Sequence, residues 1–265
     1  MSAVLAGERD PREETLMLTL DGMVGTVTSD TDDLDATTPD LDPASPKNPL
    51  VLGSVEAHAL HAIYSGERAV IVQSPPGAGK STLVARLVAR IVEHSDPRIV
   101  IATPTRDAAA DIAERLAAAL GWQEGQAPAV RLNVTRYPKT IPGVATVGAT
   151  QQKQIQVTVR TAASCVRNPP ECDLMVFDEA YQVTYATLCA AADSAPQILL
   201  VGDPGQIGPV IRANTTAYDS GRHRPHFRAP EGLMLPSSPV DPVVLSLTET
   251  HRLGQATVDT IAPLY

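Results

Sequence analysis

The chemistry of this chain is concentrated in one loop, Gln73-Ser74-Pro75-Pro76-Gly77-Ala78-Gly79-Lys80-Ser81-Thr82. It follows the apolar run Ala69-Val70-Ile71-Val72 and opens a helical pattern, the strand-loop-helix context of a phosphate cradle. Gly77 and Gly79 let the backbone wrap a phosphate chain. The amides from Gly77 through Ala78 to Ser81 turn inward, and the helix beginning near Ser81 and Thr82 offers its positive end. Lys80 has the length and charge to reach β- and γ-phosphates, and the Ser81 hydroxyl suits a Mg2+ shell, so the expected ligand is ATP with Mg2+. Ser74 stands where such loops usually open with glycine; a small residue can make the same turn.

A second constellation, Leu174-Met175-Val176-Phe177-Asp178-Glu179-Ala180, delivers two consecutive carboxylates at the end of an apolar strand. Asp178 is assigned to the metal and Glu179 to orienting or deprotonating an attacking water. An acidic pair after a strand can also simply complement a helix N-terminus. Its position about 100 residues beyond a phosphate loop favours the metal reading.

These loops need a frame that brings them to one place. Helical patterns at about 54–65, 81–94, 106–120 and 180–192 alternate with short apolar runs at 69–72, 98–102, 173–177 and 197–201. Continuous apolar strands separated by helices of 10 to 15 residues predict a doubly wound, mainly parallel α/β sheet covered on both faces. Residues 121–154 read as an insertion with a strand or two, and 212–242 as a long loop carrying the basic run Arg222 to Arg228. Residues 16–28 suit a short hairpin, whereas 29–49 are acidic, rich in proline and almost without large apolar side chains. Such a composition cannot offset its ordering entropy, so 1–49 is expected to be a largely disordered tail and linker and 50–265 the folded domain.

Charge excludes less than it first suggests. The net charge is −9, but residues 1–42 hold eleven acids against Arg9 and Arg12, which accounts for all of it; the remainder is neutral. Acidity therefore belongs to the tail and does not exclude a nucleic-acid partner for the body. There is no apolar run long enough to span a membrane and no basic-then-apolar leader. Cys165, Cys172 and Cys189 lack metal-ligand spacing and fit reduced thiols, so a cytoplasmic setting without zinc or disulfides is expected.

Asp178-Glu179-Ala180-Tyr181-Gln182, followed by Val201-Gly202-Asp203-Pro204-Gly205-Gln206-Ile207-Gly208-Pro209-Val210, resembles motifs II and III of superfamily 1 helicases, in the forms of the 5′-to-3′ branch that includes the nonsense-mediated-decay group. Residues 99–113 resemble motif Ia, 157–164 the threonine-bearing strand before motif II, and 247–252 motif IV, so six segments in family order span 54–265. The resemblance implies the first RecA-like motor domain, a P-loop NTPase lobe that couples ATP hydrolysis to single-stranded DNA or RNA. It implies that Gln206 senses the γ-phosphate and that Arg252 contacts it. It also implies that Thr103, Pro104 and Thr105, with Thr161 and Ser164, lie along the sugar-phosphate backbone. Thr105 can equally cap the helix starting near Arg106, and Gln206 can be a plain loop amide.

The family's adenine-reading glutamine has no clear counterpart in 53–61, where Glu56 or His58 could substitute. In the family a second RecA-like domain follows the first; the resemblance places only the first in 50–265, so a second is expected in cis or in trans and unwinding by these residues alone is not expected. Two other classes remain open: a nucleotide-binding regulatory or interaction module derived from a helicase lobe, and a P-loop ATPase switch without strand tracking. The basic run reads as a solvated loop or a nucleic-acid contact, the acidic tail as a solubilising segment or a phosphate mimic, and Trp122 as a packing anchor rather than a stacking platform.

Overall fold

In the computed structural model, residues 54–134, 140–146, 155–219, 221 and 224–247 are described. The expected tail, 1–49, and Arg252 lie outside them, as do the hairpin at 16–28, Arg222 and His223. Eight strands form one sheet: β1 (Ala69–Gln73), β2 (Ile99–Thr103), β3 (Val130–Asn133), β4 (Val144–Thr146), β5 (Val157–Thr161), β6 (Leu174–Asp178), β7 (Gln197–Gly202) and β8 (Val243–Ser246). The order across the sheet is β4-β3-β5-β2-β6-β7-β1-β8. All seven pairings are parallel. The fold is the expected doubly wound P-loop α/β domain of RecA-like type, and β7 separates the phosphate-loop strand β1 from the carboxylate strand β6.

Alternation along each strand divides the core. Val70 and Val72 of β1, Ile99 and Ile101 of β2, and Leu174 and Val176 of β6 face one layer, with α1 (Ser54–Tyr64), α2 (Lys80–His94) and α3 (Arg106–Ala119). Ile71, Val100, Ala102, Met175 and Phe177 face the other, with α4 (Ala162–Arg167), α5 (Tyr185–Ala191) and α6 (Ala229–Leu233). Burial on both faces explains why these strands read as unbroken apolar runs. Because every strand points the same way, the segments after β1, β2, β5, β6 and β7 all emerge at the C-terminal rim of the sheet.

Two local differences from the expected pattern have physical reasons. The helix expected at 180–192 is split into a 3-10 turn, Ala180–Gln182, and α5, because Thr184 caps a new helix by accepting from the Thr187 amide. As expected, the insertion carries a strand or two: it supplies β3 and β4 to the sheet. The stretch 212–242 is not all loop: it contains the 3-10 turn Thr216–Tyr218 and α6, which starts with proline near its first turn. Trp122 packs against the core, its Nε1 donating to the Gln126 carbonyl at 3.3 Å. All three cysteines are free of disulfides; Cys165 and Cys172 are buried and Cys189 is exposed. No helix among the described residues is long and apolar enough to cross a membrane.

Candidate nucleotide site

The phosphate loop runs from β1 to α2. Gly77 and Gly79 have φ of 77° and 82°, a region closed to most side chains, which is why the loop places glycine there. Ser74 is buried and donates its amide to the Gly202 carbonyl at 2.9 Å, tying the start of this loop to the end of β7. Among the described non-glycine residues only Glu179 has a positive φ, so Ser74 makes its turn without the conformation that would demand glycine. Gly79 caps α2 with no side-chain hydrogen bond. The first amides of α2 are thereby left for an anion, with the helix dipole behind them.

Ser81 and Asp178 meet across the sheet rim: the Ser81 hydroxyl donates to Asp178 Oδ2 at 3.3 Å. Lys80 is buried at 9% exposure and Asp178 at 3%. Burial, then the neighbouring Glu179 charge, pushes the Asp178 carboxyl up to about 6, while the Glu179 amide, the Ser81 hydroxyl and Lys80 pull it back. A buried carboxylate held at a cost in this way is suited to meeting a cation. The donor set, one hydroxyl and one carboxylate, has the hard oxygen chemistry of a Mg2+ site.

Glu179 adopts φ 56°, ψ 42°, the left-handed region that a glutamate enters at a cost of about 1–2 kcal/mol. Its Oε2 is buried without a hydrogen-bond partner. Strain and an unsatisfied buried oxygen coincide on the residue assigned to water activation, a combination that structural stability alone would not maintain.

On the loop after β7, Asp203 is fully buried and its Oδ1 accepts from the Gly205 amide at 2.8 Å. Gln206 Oε1 accepts from Gln182 Nε2 at 3.3 Å, which joins the loop to the turn after the carboxylate pair. Tyr181, also on that turn, accepts from Gln73 Nε2 at 2.9 Å and is 1% exposed. Lys80, Ser81, Asp178, Glu179 and Gln206 thus occupy one rim of adjoining strands.

The hydroxyls expected along a nucleic-acid backbone are engaged locally. Thr103 is wholly buried and donates to the Thr105 carbonyl at 2.9 Å. Thr105 caps α3 through the Ala108 amide at 3.2 Å, and Thr161 caps α4 through the Ser164 amide at 3.3 Å. Ser164 Oγ accepts from Arg160 Nη2 at 3.0 Å. Pro104 sits half-buried between the first pair. Glu56, weighed as an adenine reader, is buried and ion-paired with Arg86 of α2 at 2.9 Å, so it clamps α1 to α2. His58 is exposed.

Sequence reasoning passed over Gln73, Tyr181, Gln182, Asp203 and Arg228 as site residues, though all but Arg228 lie inside quoted motifs. Arg228 is not a solvated member of the basic run; it turns inward onto the loop after β7.

Solved structures resemble this chain at low identity. An arterivirus nonstructural protein 10 (helicase) in complex with DNA is 19% identical with a TM-score of 0.48, covering 80% of this chain and 42% of that one. Pif1 from Bacteroides sp. in complex with ADP-AlF4 is 16% identical with a TM-score of 0.43, covering 81% of this chain and 46% of that one. The chain thus spans less than half the length of either. A search of curated proteins finds no match. The family comparison is more specific, matching residues 57–212 to an AAA domain, AAA_19, from α1 to just beyond the loop after β7. That span covers more than half of the 265 residues and contains the phosphate loop, the carboxylate pair and Gln206 together, so the chain belongs to this AAA domain family.

Proposed function

We propose that the chain is an ATP-hydrolysing motor domain of the superfamily 1 helicase type, of the 5′-to-3′ branch, with single-stranded DNA or RNA as its track. The observation that carries this reading is the Ser81–Asp178 contact beside the strained, unpartnered Glu179. In this reading Lys80 and the α2 amides hold the phosphates, and Glu179 orients or takes a proton from the attacking water. A bound Mg2+, held by Ser81 and Asp178, supplies charge neutralisation at the phosphates. Gln206 reports on the γ-phosphate from the adjoining loop, and Arg252 contacts it. Pro104, with Thr103, Thr105, Thr161 and Ser164, forms the strand-facing rim through backbone groups and hydroxyls. Residues 50–265 are one RecA-like lobe, 1–49 a tail outside it, and a second lobe in cis or in trans completes the motor.

The test is nucleotide binding followed by turnover. The 265-residue chain binds Mg-ATP, Lys80→Ala abolishes that binding, and hydrolysis is slow with no strand displacement. Undiminished ATP binding by Lys80→Ala overturns the reading.

One observation favours a second reading, a nucleotide switch without strand tracking: the Thr103, Thr105 and Thr161 hydroxyls are committed to internal bonds. The two separate by whether single-stranded oligonucleotide binds and accelerates hydrolysis. Binding and acceleration support the motor, and neither, with or without residues 1–49, supports the switch.

A further inference from the structure

The loop from Asp203 to Gly208 carries Gln206, and within it the Gly205 amide donates to Asp203 Oδ1 and the Gln206 amide to the Asp203 carbonyl at 3.2 Å. Arg228 reaches this loop from outside it. Nη1 of Arg228 donates to the Pro204 carbonyl at 2.6 Å and to the Gln206 carbonyl at 3.3 Å. The stem of the same side chain lies against Gly208, where an added Cβ would sit 3.2 Å from Arg228 Cδ. Nη2 pairs with Glu231, and the guanidinium lies 5.2 Å from the Tyr181 ring centre.

The backbone of Arg228 is fixed to the other side of the site. It bridges Thr184 in antiparallel fashion, the Ala229 amide donates to the Val183 carbonyl at 2.8 Å, and the Tyr185 amide donates to the Phe227 carbonyl at 2.8 Å. One residue therefore has its main chain on the segment that follows Asp178 and Glu179 and its side chain on the loop that bears Gln206. Tyr181, under the guanidinium, continues the connection to Gln73 at the start of the phosphate loop.

We propose that Arg228 is a positioning residue that sets the Gln206 loop relative to the Asp178–Glu179 turn, so that hydrolysis depends on a contact made outside the phosphate loop and the acidic pair. The inference rests on the functional reading above. A planar guanidinium reaches two carbonyls two residues apart while stacking on a ring; a lysine ammonium on a flexible stem does not reproduce that arrangement. The Arg228 contacts described above are to Pro204, Gln206, Gly208, Glu231 and Tyr181 and not to Lys80 or Ser81, so its loss should misplace Gln206 while leaving nucleotide affinity intact.

The test is steady-state Mg-ATP hydrolysis by the 265-residue chain, with nucleotide affinity measured separately by titration of a fluorescent ATP analogue. Arg228→Gln is expected to lower kcat by at least about tenfold, the scale of a mispositioned group, with affinity within about twofold of the parent. Arg228→Lys should fail to restore kcat. Gly208→Ala crowds the same stem without touching the Gln206 side chain and should lower kcat in the same way, so it decides the question if Arg228→Gln does not fold. Unchanged kcat in the folded variants, or a loss of affinity that parallels the loss of kcat, overturns the proposal while leaving the functional reading intact. A parent that neither binds nor hydrolyses ATP overturns both.

Discussion

Ser81 at the start of α2 and Asp178 at the end of β6 are hydrogen-bonded at 3.3 Å although 97 residues separate them. The bond closes the phosphate loop onto the carboxylate strand across β7. It also holds together the two residues assigned to Mg2+.

Asp178 makes stability depend on pH in an unusual direction. Its carboxyl is raised from 3.8 to about 6, first by burial and then by Glu179. The folded chain therefore holds this proton more tightly than the unfolded chain does. Stability falls as pH rises between those two values, and the penalty is complete above the folded one. The rise corresponds to an upper scale of roughly 3 kcal/mol. Asp178→Asn should raise the melting temperature at about pH 8, have little effect at about pH 4, and abolish ATP hydrolysis. Thermal melts of the two proteins at both pH values check this, and an unchanged or lower melting temperature at the higher pH contradicts it.

Glu179 separates chemistry from conformation. Glu179→Gln keeps the backbone and the size of the side chain but removes the base, so hydrolysis should fall by about 100-fold or more while nucleotide affinity holds. Glu179→Gly relieves the left-handed backbone and removes the unpartnered oxygen, and should stabilise the chain by about 1 kcal/mol in urea titrations while remaining inactive. A destabilised Glu179→Gly protein would mean the turn is held by contacts of the glutamate side chain.

Metal removal should show that the two halves of the site act together. ATP at about 100 times its dissociation constant should stabilise the chain by roughly 2.7 kcal/mol, on the order of 2–4 °C of melting temperature per kcal/mol. EDTA should erase most of that shift in the parent. In Ser81→Ala the Mg2+-dependent part should already be missing, and a full shift there would remove Ser81 from the metal site.

Gly143 tests the packing that the insertion adds. It has φ 73°, and a Cβ there would lie 2.8 Å from the Trp122 ring and 2.9 Å from Ala117 Cβ. Gly143→Ala should cost about 2–4 kcal/mol, and pairing it with Trp122→Leu should recover part of the loss in a double-mutant cycle. Nucleotide affinity should not change, since Gly143 precedes β4 and so lies at the rim opposite the phosphate loop.

The parts of the site that were legible in the sequence are those whose chemistry is local. Gly77, Gly79, Lys80 and Ser81 are contiguous, and the demands of a phosphate chain are met within one loop. Strands β1, β2, β6 and β7 announced themselves because both their faces are buried. Strand order was not legible, because nothing in Val70 says that it will pair with both Leu199 and Val243. Nor was the left-handed Glu179, since glutamate has no local preference for that region and only the surrounding packing places it there. Arg228 read as one more cation in a basic run; its role depends on a partner loop 22 residues away. Strand β8 is half-exposed and four residues long, and α6 contains both proline and glycine, so neither carries a strong periodic signal.

The place of β1 between β7 and β8 has a consequence for how the chain comes into being. β1 is the first strand in the described chain, yet its two neighbours are the last two, so both pairings close loops of more than a hundred residues. Such distant pairings form slowly and only after most of the chain has been made. A nascent chain that has not reached Gly202 lacks the carbonyl to which Ser74 donates, and Val70, Ile71 and Val72 remain without the neighbours that cover them. The phosphate loop, the most local motif in the sequence, is thus among the last features that synthesis can complete, and a truncated product would display an apolar strand in place of the candidate nucleotide site.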